Sequence, residues 1–96
     1  MCFESGENKE VLQKLLKYES QQVVVNWYED ELLTARDGFF FSHIQREDDL
    51  LIFMKEHQVK QIIPLSNYET LETLSDFRDF FQLTNRIEVL HIYFPH

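Results

Sequence analysis

Glycine and proline are scarce in this chain, two of each among 96 residues. That argues against a long disordered or low-complexity segment, and it leaves no glycine-rich loop to cradle a phosphate or a dinucleotide. Cysteine is rarer still. Cys2 alone cannot close a disulfide within the chain, which fits a reducing compartment, and its flanks match neither a lipoprotein signal nor a myristoylation start. Long apolar runs are missing: Leu50 to Met54 and Val89 to Phe94 fall far short of a membrane span. The opening Met1-Cys2-Phe3-Glu4-Ser5 turns acidic at once instead of running basic and then apolar, so a cytoplasmic protein is expected. Basic charge is also in short supply, nine Lys and Arg against seventeen Asp and Glu, for a formal net charge of −8. Phosphate contacts dominate nucleic-acid affinity. The one dense basic set, Lys9, Lys14 and Lys17, is interleaved with Glu7, Glu10 and Glu19, so direct nucleic-acid binding is not expected.

What is present is apolar and aromatic, 44% and 15% of the chain, enough for the core of one domain over residues 1–96. Val11, Leu12, Leu15 and Leu16 recur at three- and four-residue spacing and predict a helix over 8–19, with Ser5 or Asn8 as its N-cap. From residue 23 the period becomes two. Val23 to Tyr28, Leu32 to Arg36, Phe39 to Gln45 or Arg46, Leu50 to Met54 and Val59 to Ile63 predict five short antiparallel strands over 23–63. Turns are expected at Glu29-Asp30, Asp37-Gly38, Glu47 to Asp49 and Lys55 to Gln58, and Asp37-Gly38 carries the strongest short hairpin signal. Pro64 stops the sheet. Ser66-Asn67-Tyr68-Glu69 matches a capping box, and Leu71, Leu74, Phe77 or Arg78, and Phe81 then predict helical structure over 66–84, with a break at Ser75 and Asn85 as the C-terminal cap. Ile87 to Phe94 is a final strand. The expected fold is α+β: an N-terminal helix, a meander curled into a small SH3-like or Lsm-like barrel with that helix as a plug, a second helix and a last strand.

Three consecutive phenylalanines follow the Asp37-Gly38 signal. Alternate strand residues face opposite ways, so Phe39, Phe40 and Phe41 cannot all enter one core. A two-residue hairpin at Asp37-Gly38 puts Leu33, Ala35, Phe40 and Ile44 on the core face. The other face then holds Leu32, Thr34, Arg36, Phe39, Phe41 and His43. Leaving two Phe in water forfeits roughly 1.5–3 kcal/mol each, so the C-terminal segment or a partner should cover Phe39, Phe41 and His43.

The acidic turns are the other constellation. Alternate turns of a meander share a pole, which would gather Glu29, Asp30, Glu31, Glu47, Asp48 and Asp49 into a surface for a basic partner. Neither turn has the spacing or glycine of a calcium loop, and no metal or cofactor is expected. His43, His57, His91 and His96 lack ligand spacing. Ser42 and His43, adjacent on a strand, are expected to face apart and to form no nucleophile system. Trp27-Tyr28 reads as a core anchor, because stacking on bases would want nearby basic residues and Glu29 to Glu31 follow instead.

"VVVNWYEDELL" at 23–33, "GFFFSHIQREDDLLIF" at 38–53 and "QIIPLSNYETLETL" at 61–74 resemble the YolD-like family of bacterial small proteins. In that family a strand ending in paired aromatics leads into a hairpin, and an apolar, proline-bearing segment enters a closing turn. The basic-aromatic N-terminal segment of that family has no counterpart here. The resemblance implies a small barrel and a role as accessory protein to a Y-family polymerase in SOS-type mutagenic repair.

From the residues themselves the leading expectation is a non-catalytic acidic regulatory protein of a bacterium or phage. It would bind a basic protein partner and inhibit a DNA-handling one by mimicking DNA. The alternatives are the polymerase accessory and a structural homodimer joined through "IEVLHIYF".

Overall fold

The change from a three-to-four-residue to a two-residue hydrophobic period near residue 20 is where helix gives way to sheet. A computed structural model of the chain describes residues 7–19, 21–73 and 80–95. Helix α1 spans Glu7–Leu16. Eight strands follow: β1 Gln22–Glu29, β2 Leu32–Phe40, β3 His43–Glu47, β4 Leu50–Lys55, β5 Gln58–Pro64, β6 Thr70–Thr73, β7 Phe80–Thr84 and β8 Glu88–Tyr93.

All pairings are antiparallel, and they build two sheets, one ordered β2-β1-β8-β7-β6 and the other β3-β4-β5. The expected single barrel does not close. The first two strands of the expected meander join β8, β7 and β6, and the other three form a sheet of their own. The facing sides share one core of Val23, Val25, Phe39, Phe41, Ile44, Leu51, Phe53, Ile63, Phe81, Leu83, Leu90 and Ile92. Helix α1 packs against β6 and β3, one edge strand from each sheet, and buries Leu12 and Leu15. Asn8 ties it down: its Nδ2 donates to the Glu69 carbonyl and its Oδ1 accepts from the Leu71 amide.

Asp37-Gly38 is not a turn. Asp37 pairs with Val25 and Gly38 with Val24 inside an uninterrupted β2. The turn expected at Glu29-Asp30 is present one residue on, at Asp30-Glu31, both in the left-handed region with φ of 51° and 68°, as a type I′ turn requires; the chain next bends at Ser42. With no turn at Asp37-Gly38, the faces exchange. Phe39 and Phe41 are buried, whereas Leu33, Ala35 and Phe40 are exposed, so of the expected core set only Ile44 is inside. Non-glycine residues in this region cost about 1–2 kcal/mol each. Replacing Asp30-Glu31 by Asn-Gly should therefore raise stability by about 0.5–1 kcal/mol, the gain being reduced by glycine's unfolded-state entropy. Thermal unfolding should show a midpoint several degrees higher.

The helix expected over 66–84 is also corrected. Leu65–Asn67 is a short 3₁₀ turn, with no side-chain cap at its start, and 70–73 and 80–84 are strands; residues 74–79, including the expected break at Ser75, lie outside the described residues. Leu71, Phe81 and Leu83 point inward while Glu72, Phe80 and Gln82 do not, a period of two that the spacing of Leu71, Leu74, Phe77 and Phe81 concealed. β-Branched Thr70, Thr73 and Thr84 favour the pleated form, and the Thr70 and Thr84 hydroxyls bond across the ladder. Asn85 caps no helix; its Oδ1 accepts from the Ile87 and Glu88 amides in the turn to β8. Strand β8, where the homodimer alternative places its contact, lies between β1 and β7, with both its edges paired within the chain.

Candidate functional site

The residues expected to meet a partner are distributed as follows. Phe39 and Phe41 are core residues, packed edge-on against Phe53 at 5.5 and 5.7 Å between ring centroids. Phe94, just beyond β8, covers Phe41 at 5.7 Å, so the C-terminal segment does reach this ring. His43 is exposed at the start of β3. The six turn carboxylates are exposed too, but their turns belong to different sheets: Glu29 ends β1 and Asp30-Glu31 closes the β1–β2 hairpin, while Glu47 ends β3 and Asp48-Asp49 leads into β4. Alternation within one meander therefore does not bring them together.

Glu29 instead meets carboxylates from elsewhere in the chain. It pairs directly with Glu88 across the β1–β8 ladder, and like charges so placed repel. Both border a cleft of about 500 Å³ together with Asp37, Trp27, Tyr28, Thr34, Ala35, Arg36 and Gln61. A register shift between Trp27 and Tyr28 leaves Thr34 without a ladder partner, and its Oγ1 donates to the Trp27 carbonyl at 3.1 Å. The half-buried indole packs on the core and forms one wall of the cleft. Gln61 Nε2 reaches from the small sheet to donate to Asp37 Oδ2 at 3.1 Å, and its Oε1 accepts from the Ile62 amide. Arg36 also borders the cleft and donates from Nη2 to the Tyr93 hydroxyl at 3.0 Å, which directs its guanidinium toward β8 and leaves three carboxylates against one cation in the lining. Among the described residues no ion pair neutralises Glu29, Asp37 or Glu88. The field of Glu88 extends to Tyr68, whose phenol is pushed up to about 12, first by burial and then by that carboxylate.

Trp27, expected as a core anchor, packs on the core with one side of its ring and lines the cleft with the other. Asp37, Gln61 and Glu88 had no signal in the sequence beyond a glutamate interrupting an apolar strand, because only the strand register brings them to Glu29. Volume and lining suit an organic cation: carboxylates around an aromatic face attract ammonium and guanidinium groups. Among the described residues no group of three His, Cys, Asp or Glu is arranged to hold a metal ion.

On the opposite face of the large sheet His91 lies 4.9 Å from both the Tyr28 and the Phe80 ring centroids, with its Nε2 3.0 Å from Gln82 Oε1. Burial lowers its proton affinity. Ser42 and His43 do meet, at 3.4 Å, because Ser42 lies in a bend before β3 and not on the strand. The single Ser42 hydroxyl proton goes to the Met54 carbonyl, and its oxygen accepts from the Glu56 amide. Those bonds tie the β2–β3 bend to the β4–β5 turn and leave the hydroxyl poorly placed to lose its proton to His43. No helix among the described residues is long and apolar enough to cross a membrane. Compared with family models, curated proteins and solved structures, the chain matches none.

Proposed function

We propose that this is a non-catalytic regulatory protein that works by binding another protein with a basic surface, and that it receives a lysine or arginine side chain of that partner in the Trp27 cleft. The observation that carries the reading is the convergence of Glu29, Asp37 and Glu88 on an indole wall, in a chain of net charge −8. The overall charge steers a basic partner in, and the cleft gives that attraction a point of register. The groove of a DNA-handling protein offers such a surface, and occupying it would inhibit that protein.

Trp27 is the sole tryptophan, so its emission reports on the cleft directly. A short arginine-rich peptide should change that emission saturably, with affinity falling as ionic strength rises. Glu29→Gln with Glu88→Gln should weaken the peptide about tenfold, at a few tenths to one kcal/mol for each partly exposed pair. An emission spectrum indifferent to the peptide at low salt would remove the proposal.

A further inference from the structure

Two open sheets have four edges, and the chain blunts three of them. Helix α1 packs against β6 and β3. Strand β5 is broken where the register skips Lys60, and it ends in Pro64; both devices stop further pairing. Strand β2 is different. It ends the large sheet, paired with β1 on one side and, among the described residues, with no strand on the other. Past the irregularity at Thr34 its register is unbroken from Ala35 to Phe40. The sequence there, Ala35-Arg36-Asp37-Gly38-Phe39-Phe40, has neither proline nor lysine to protect the edge.

In the middle of this stretch stands Gly38. No turn uses it, its φ lies outside the left-handed region, and an added Cβ would meet only Val24 Cγ2 at 3.7 Å and the Val23 carbonyl oxygen at 4.0 Å, both ordinary contacts. Among the described residues nothing requires a glycine there, although glycine weakens a strand. In such a position it marks the close approach of another chain, and a large side chain from a neighbouring strand covers it well.

We propose that a segment of the basic partner adds to the free edge of β2 as an extended strand, its residues alternating between basic and apolar. This rests on the cleft reading above and names the conformation in which the partner enters. Asp37 faces the small sheet, where Gln61 holds it, and Thr34 to Asp37 border the Trp27 cleft. A strand laid beside them turns every second side chain toward those carboxylates. A lysine or arginine is attracted there, whereas an apolar residue would strip water from Asp37 and give nothing back. The intervening side chains lie on the other face, over Gly38 and beside Phe40, which is 54% exposed. Arg36 shares that face, held toward β8 by the Tyr93 hydroxyl, and Lys55 Nζ lies 5.4 Å from the Phe40 ring centroid. These positions repel cations and accept apolar or aromatic residues. A second copy is the poorer occupant, because it brings its own charge of −8 to an edge that attracts cations.

Two peptides of about eight residues, titrated into the intact chain and followed by Trp27 emission, test the idea. One alternates arginine with valine and carries phenylalanine at a central apolar position. The other has the same composition with its arginines in one block. The alternating peptide should bind about tenfold tighter or more. N-Methylation of one alternate set of its amides should abolish that advantage and methylation of the other set should spare it, because an added strand pairs along one edge only. Gly38→Val should melt no lower than the wild type and should lose the same advantage, its branched side chain filling the space the phenylalanine takes. Equal affinity for the two peptides, or an equal response to the two methylated sets, overturns the added strand and leaves the cleft reading standing. Emission indifferent to both peptides removes the two together. Self-association of the wild type that is lost in Gly38→Val gives the edge to a second copy and overturns the proposal. Should Gly38→Val fail to fold, the methylated pair decides.

Discussion

Phe53→Ala should come close to unfolding the protein, at a cost of about 3–5 kcal/mol, whereas Phe40→Ala should change stability by about 0.5 kcal/mol or less. Phe53 is fully buried on β4 and meets Phe39 and Phe41 edge-on. Through Phe41 the contact continues to Phe94, which stacks on Tyr18 at 3.9 Å and meets Phe81 edge-on. These rings bridge the two sheets and the segment after α1, so removing the central one opens a cavity where sheet meets sheet. A chain of this length has a total stability of about 5–14 kcal/mol, so the loss is a large share of it. Of the three consecutive phenylalanines Phe40 is the one that faces outward, 54% exposed, with Lys55 above its ring. Urea unfolding of the two variants should give midpoints far apart at similar slopes. Equal losses would contradict the assignment of Phe39 and Phe41 to the core and Phe40 to the surface.

Glu88→Lys should move stability and binding in opposite directions. Across the β1–β8 ladder it converts a like-charge pair with Glu29 into an opposite-charge one, worth about 0.2–1 kcal/mol of added stability. In the cleft it places a cation where a cation is to be received, so the arginine-rich peptide should lose about a hundredfold or more in affinity, the penalty of a repulsive juxtaposition. Tyr68 supplies an independent readout. Its pKa of about 12 owes its second contribution to Glu88, so the variant should ionise at lower pH in an absorbance titration, while the part due to burial stays. The sign for the wild type follows from the same shift. The unfolded chain gives up this proton near the ordinary tyrosine value of ~10 and the folded chain only near 12. Stability is therefore fully present below the first value and is lost as pH rises toward the second. A variant that binds normally, or that is destabilised, would separate Glu88 from the function proposed for it.

Much of the secondary structure was legible because it rests on local period and β-branched content. α1, β1, β4, β5 and β8 fall close to where hydrophobic spacing puts them, and the turns at 47–49 and 55–58 are present. Where local signals compete, pairing between strands decides. Asp37-Gly38 has turn chemistry, but β1 offers partners to both residues inside a continuous β2, and Asp30-Glu31 accepts left-handed geometry without a glycine. Without a turn there, Phe39, Phe40 and Phe41 each change sides, as alternation along one continuous strand requires. The sequence over 70–84 satisfies both periods; pairing with β8 decides for strand at Phe80–Thr84, and the Asn8 bond to the Leu71 amide supports it at Thr70–Thr73. Of the candidate site, Glu29 was visible as part of an acidic run. Its companions come from residues 37, 61 and 88, joined by strand register and by one Gln61–Asp37 contact between sheets, and neither is written in local sequence.

The central place of β8 in the large sheet has a bearing on how the molecule is made. The β1–β2 and β6–β7 hairpins lie on either side of residues 88–93, so the two halves of that sheet have no common ladder until this late segment has been synthesised and inserted. Folding of the large sheet therefore waits for translation to pass this point. With pairings that reach from residue 24 to residue 93, refolding should take milliseconds to seconds, as in other proteins dominated by distant contacts.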